Sequence, residues 1–297
     1  MSTQRRVKIQ ARARRGQVFR VEVLEARALL AAASETFNPP SLAALIQRAR
    51  DGENTAPEGL HIMLQALQTQ LDSGPLADLK AGTVNGSDFV TEVQNLETSF
   101  EQNVDAQLSP EFPNCDKLLK LSGQRIVADV TSLNQQNSVG LISDTDLPTR
   151  AQTAIDSLTG GPLLPLGTPL SAFVDTTKSF EADLNTLVQS LSASASPMLT
   201  LADMNTTLQA EAAAYQADLD AALLVTHPKI AAMVDSAVAN LENQSNTIAH
   251  AGGSTAQSQL TDAINAFDTA ILDKTGLFGP SGIVSKALAD VNGHDAD

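Results

Sequence analysis

Large apolar residues return along this chain every three or four positions, the repeat of one face of an α-helix. The clearest stripe is Phe89, Val93, Leu96, Phe100, Val104 and Leu108, at steps of 4, 3, 4, 4 and 4. It predicts a rod about 35 Å long with one greasy side. Asn85-Gly86 precedes it, Ser87 is placed to cap its first turn, and Ser109-Pro110 ends it. Leu118, Leu121, Ile126, Val130 and Leu133 mark the inward side of a partner helix from Asn114 to Asn137. Upstream, Leu60, Met63, Leu64, Leu67 and Leu71 predict a helix from Pro57 to Leu71, broken by Ser73-Gly74-Pro75. A shorter one runs from Ser41 to Arg50 and closes at Asp51-Gly52.

The second half repeats the theme. Phe173, Phe180, Leu184, Leu187 and Leu191 form one stripe, ended at Ser196-Pro197. Leu201, Met204, Leu208, Tyr215, Leu219 and Leu223 form the next, which His227-Pro228 kinks or ends. Ile230, Val234, Val238, Leu241 and Ile248 follow, then a Gly252-Gly253 turn, then Leu260, Ile264, Phe267 and Ile271. Between the halves, Thr159-Gly160-Gly161-Pro162 to Pro169 reads as a non-helical loop or boundary.

These stripes are narrow and flanked by Gln, Asn, Thr and Ser, which suits helices packed at small angles rather than one unbroken coiled coil. The expected class is all-α: an antiparallel bundle of long amphipathic helices, as one unit or as two stacked helical-hairpin units. Ser87-Asp88-Phe89-Val90 and Ser171-Ala172-Phe173-Val174 each open a long helix that meets a Ser-Pro and a second helix. A hairpin duplication and shared helix chemistry both account for that likeness. The chain divides into residues 1–33, a linker at 34–40, helical parts at 41–158 and 170–292 around the loop at 159–169, and a tail at 293–297.

Composition agrees with helix. Trp is absent and Tyr215 is the single tyrosine, while Ala, Leu and Gln, all good helix formers, are abundant. Charge sets the first 33 residues apart. Arg5, Arg6, Lys8, Arg12, Arg14, Arg15, Arg20 and Arg27 outweigh Glu22 and Glu25, a net of +6; the remaining 11 basic and 32 acidic residues give −21. So anionic a body repels phosphate backbones and anionic membrane surfaces, so no nucleic-acid partner is expected. No run of 18 apolar residues occurs, so no transmembrane helix is expected either.

The cationic start leads through Ala28-Leu29-Leu30-Ala31-Ala32-Ala33 to small residues suited to cleavage, the order of a secretory signal, although Glu22, Glu25 and Arg27 interrupt its apolar part. The stretch Phe19 to Ala31 resembles the N-terminal LEPR sorting domain of planctomycete surface and secreted proteins. Leu24, Glu25, Arg27, Leu29 and Leu30 match its Leu-Glu-Pro-Arg-x-Leu-Leu pattern, and Glu22 matches its upstream glutamate. Ala26 stands where that family has Pro, and Ala31 where it often has Ser. The resemblance implies export, with the N-terminus engaging export machinery, and is silent on the rest of the chain. An amphipathic first helix is the competing reading, since Val21, Leu24, Ala28 and Leu29 also share a helical face.

Catalytic patterns are missing from the sequence. His61, His227, His250 and His294 lie far apart, so no helical metal pair forms. The single cysteine, Cys115, permits no internal disulfide or Cys-based zinc site and reads as a small buried hydrophobe. There is no nucleophile elbow, phosphate loop or dinucleotide fingerprint. Asp290 to Asp295 lacks the glycine and closing glutamate of a calcium loop. Asp144-Thr145-Asp146 reads as a turn and helix cap, and Glu97, Glu101 and Asp105 as a solvated helix face. No cofactor, metal or catalysis is expected. The expected role is that of an exported cell-surface or extracellular protein, a structural or interaction module with a protein or envelope partner. The alternative is a bundle that binds a lipid or other apolar ligand in a groove lined by Phe89, Phe100, Phe173 and Phe180.

Overall fold

A computed structural model describes residues 56–108, 113–160, 170–192, 194–224, 227–273 and 275–286. The sorting motif, the linker at 34–40, the helix expected at 41–50, most of the Gly/Pro loop and the Asp290–Asp295 stretch lie outside them. The described residues form an all-α bundle without strands. Its helices are α1 (Ala56–Ser73), α2 (Pro75–Ala81), α3 (Gly86–Leu108), α4 (Pro113–Ser138), α5 (Leu147–Gly160), α6 (Leu170–Gln189), α7 (Leu201–Leu223), α8 (Pro228–Ala251) and α9 (Ala256–Ile271).

Each helix forms where an apolar stripe and its stop signals coincide. Gly74 and Pro75 end α1 and start α2 in one step, because proline's missing N–H and fixed φ suit a first helical turn. Gly82 closes α2 in the left-handed conformation, φ 69°, where a side chain would be strained. The cap of α3 is Asn85 rather than Ser87: its Oδ1 accepts from Asp88 N at 2.9 Å, and Ser87 already lies inside the helix. Ser143 plays the same part before α5, its Oγ accepting from Asp146 N at 3.2 Å. That helix runs on through Thr159 and Gly160, two residues into the expected loop, and Thr159 Oγ1 donates to Gln68 Oε1 on α1 at 2.9 Å.

Buried apolar side chains fall into two clusters. The first joins α1 to α5 around Met63, Leu67, Leu71, Phe89, Val93, Leu119, Ile126, Val130 and Ile155. The second joins α6 to α9 around Leu184, Met204, Leu208, Val234, Val238, Leu260, Ile264 and Phe267. Beyond α9, within the helical part expected at 170–292, the chain turns repeatedly over residues 275–282 before helix resumes at 283, and it tucks Leu277, Phe278 and Val284 into the second cluster. Neighbouring helices run antiparallel: Glu101 meets Gln124 and Asp105 meets Lys120 between α3 and α4, while Gln216 meets Asp235 and Asn205 meets Asn246 between α7 and α8.

Between the two clusters, α4 and α7 pack along their length and make the most extensive helix pair among the described residues. No described helix is long and apolar enough to cross a membrane.

Candidate functional site

The seam between α4 and α7 is built from polar stripes. On α4, Arg125, Asp129, Ser132 and Gln136 follow one another at steps of 4, 3 and 4. On α7, Thr207, Glu211, Ala214 and Asp218 do the same. Helical repeat puts each set on a single face, and antiparallel packing lays one face on the other. Gln136 Nε2 donates to Glu211 Oε1, Gln135 Nε2 to Thr207 Oγ1 at 3.4 Å, and Arg125 pairs with Asp218. Thr207, Ser132 and Glu211 are all buried there. Small side chains let the rods approach; Ala214, in the middle of the α7 face, is buried without joining either apolar cluster.

Beside this seam, α5 and α6 complete a cleft of about 460 Å³. Asp129, Ser132 and Gln136 from α4, Glu211 and Asp218 from α7, Arg150 from α5 and Asp183 from α6 supply most of its polar lining. Phe180 and Tyr215 lie at its base, stacked at 4.3 Å between ring centroids. Tyr215 is fixed further by a 2.9 Å hydrogen bond with Thr177 and by an edge-on contact with Phe267. Burial raises the Tyr215 hydroxyl above its ordinary range.

Carboxylates outnumber cations here, and the electrostatics follow. Burial pushes Glu211 up from 4.5 to about 7, reinforced by Asp183; Ser132, Gln136 and Arg150 oppose the rise without cancelling it. Asp129 also rises, first through burial, then through repulsion from Asp218 and Glu211, against the attraction of Arg125. Asp218 and Asp183 are raised chiefly by burial, each partly offset by an arginine. Arg125 is shared three ways: its Nη2 donates to Ser157 Oγ at 2.6 Å, while Nε faces Asp129 at 3.8 Å and Asp218 more closely, without an aligned hydrogen bond. A buried arginine split between two acids neutralises neither fully.

A second buried acid corrects the reading of α3. Glu97 is not on a solvated face: it packs on Gly123 of α4, where a Cβ would meet its Cγ at 3.2 Å. A larger residue there would press on the Glu97 side chain. Burial, then contact with Glu101, raises its carboxyl well above the usual range. Glu101 accepts from Gln124 at 2.7 Å and Asp105 pairs with Lys120, so the whole acidic row faces α4.

The structure disperses the other candidates. His250 Nδ1 lies 2.8 Å from Asn246 O within its own helix, and His227 sits at the start of α8. Among the described residues no group of three or more His, Cys, Asp or Glu could hold a metal ion. Of the four phenylalanines expected to line an apolar groove, Phe180 alone borders the cleft. Phe89, Phe100 and Phe173 are core residues, the last stacked 5.6 Å from Phe278. The sorting residues Glu22, Leu24, Glu25, Arg27, Leu29 and Leu30 lie outside the described residues. No family model matches the chain, and no curated protein or solved structure does either.

Proposed function

We propose that this is an exported helical protein that works by contact, as a structural or interaction module of the cell surface or extracellular space, and not by catalysis. The observation that carries the contact reading is the polar lining of the cleft. Phe89, Phe100 and Phe173 fill the two cores, and of the four phenylalanines Phe180, stacked on Tyr215, reaches the cleft. Four carboxylates, Arg150 and several hydroxyls line it beside them, and a lipid chain would strip these of water without replacing their hydrogen bonds. What the bundle offers a partner is an acidic, polar exterior. Export rests on the cationic leader and its LEPR-like residues, Leu24, Glu25, Arg27, Leu29 and Leu30.

Mass spectrometry of the native N-terminus in fractionated cells tests the export half. A start between Ala32 and Ser34 in envelope or medium is expected, and an intact Met1 confined to the cytosol defeats it. Cross-linking in isolated envelopes tests the contact half. One defined partner, undiminished by metal chelation, is expected; stoichiometric uptake of a fluorescent fatty acid instead of a partner turns the reading to the apolar-ligand alternative.

A further inference from the structure

We propose that the α4–α7 seam is a proton-operated joint: it stays shut while Glu211 and its neighbouring carboxyls share protons, and the two helical clusters part along it as those groups ionise. The geometry comes first. Each apolar cluster is complete on its own side, and the buried residues Leu119, Ile126 and Val130 of α4 belong to the first, as Leu208, Leu219 and Leu223 of α7 belong to the second. The faces that α4 and α7 turn to each other carry Arg125, Asp129, Ser132 and Gln136 against Thr207, Glu211, Ala214 and Asp218, with the cleft of about 460 Å³ already beside them. At one end the joint has an apolar pivot. Val139 and Leu141, just past α4, pack on the second cluster, and Gly140 lies against Pro197.

Every charged group facing the joint bears on its balance. From α4 come Lys117, Arg125 and Asp129, from α5 Arg150, from α6 Asp183, and from α7 Glu211, Asp218 and Asp220, the last with Asp235 of α8 behind it in the α7–α8 seam. Five carboxyls face three cations at the joint. Burial raises Asp129, Glu211, Asp218 and Asp220, so near neutrality part of the set is protonated and the repulsion is relieved. Raising the pH removes those protons. The cleft already brings solvent to Asp183 and Asp218, whereas Glu211, 8% exposed and held between α4 and α7, gains the water its charge requires as the two rods separate.

Spin labels at Thr153 and Ser179, which border the cleft on α5 and α6, report the separation directly. The full chain carries Thr153→Cys, Ser179→Cys and Cys115→Ser, and electron–electron distances are recorded between about pH 5 and pH 9 with circular dichroism on the same samples. The expected result is one short distance at acid pH and a growing longer population above neutrality, with helix content constant. Glu211→Gln should raise the midpoint by a unit or more or abolish the change, and Asp129→Asn, an independent neutralisation, should act in the same direction. Glu97→Gln, within the first cluster, should leave it alone. An unchanged distance across the range overturns the proposal. So does lengthening that persists in both seam variants, or lengthening that tracks loss of helix.

Discussion

Glu211→Gln should make this protein more stable at alkaline pH. The carboxyl is buried at 8% exposure, and its pKa stands at about 7 against an ordinary 4.5. The unfolded chain releases that proton near 4.5 and the folded chain holds it to about 7, so between the two the native state binds more protons and stability falls as pH rises. Below 4.5 both states are protonated and no penalty exists; above 7 the penalty is complete. At about 1.4 kcal/mol for each pH unit, it amounts to roughly 3 kcal/mol. The substitution keeps the shape, an amide oxygen still accepts from Gln136, and the charge-assisted part of that bond is already contained in the pKa of about 7. The balance favours the variant by roughly 3 kcal/mol at alkaline pH, and turns neutral or slightly unfavourable in acid. Urea unfolding of both proteins from about pH 4 to pH 9 reads this as two stability curves that cross. Parallel curves, or a variant less stable than the parent in alkali, would refute the reasoning.

Leu67→Ala, at a completely buried position of the first cluster, should cost about 2 to 5 kcal/mol in the same urea assay through lost transfer energy and the cavity left behind. Gly282→Ala should cost about 1 to 3 kcal/mol, because a Cβ there would lie 1.9 Å from Gly276 O in the turn that buries Leu277 and Phe278; a neutral change in melting temperature would show that turn to be dispensable. Thr200→Ala should cost about 1 kcal/mol, since the hydroxyl accepts from Asp203 N at 3.1 Å, caps α7 and donates to Asp203 Oδ2 at 2.7 Å, and Thr200→Ser, which keeps both bonds, should recover most of the loss.

The helices were legible because core side chains are chosen by a local rule. Phe89, Val93, Phe100 and Val104 are all buried on α3, as are Ile230, Val234, Val238 and Leu241 on α8, where their spacing placed them. Stops chosen by backbone chemistry were legible too: Ser73-Gly74-Pro75, His227-Pro228 and Gly252-Gly253 all separate helices. On α4 the reading slipped. Leu119 is fully buried whereas Leu118, Leu121 and Leu133 are only partly so, because this helix packs on α3, α5 and α7 at once and its apolar side is rotated among them. The short α2 was missed because its seven residues are too few to show a period.

The seam was out of reach for a different physical reason. A stripe of Arg, Asp, Ser and Gln on one helix face has the look of a surface wetted by solvent, and most such stripes are. Nothing local to α4 says that a second stripe, on α7, will lie against it. The pairing is imposed by the apolar faces on the far sides of both rods: once Ile126 and Val130 are committed to one core and Leu208 and Leu219 to the other, the polar faces can only meet each other. Alanine at 214 and threonine at 207 share that face, and Glu211 between them is left only 8% exposed. The raised carboxyl is therefore a consequence of how two cores are joined, and its charge state reports on that join rather than on any chemistry of its own helix.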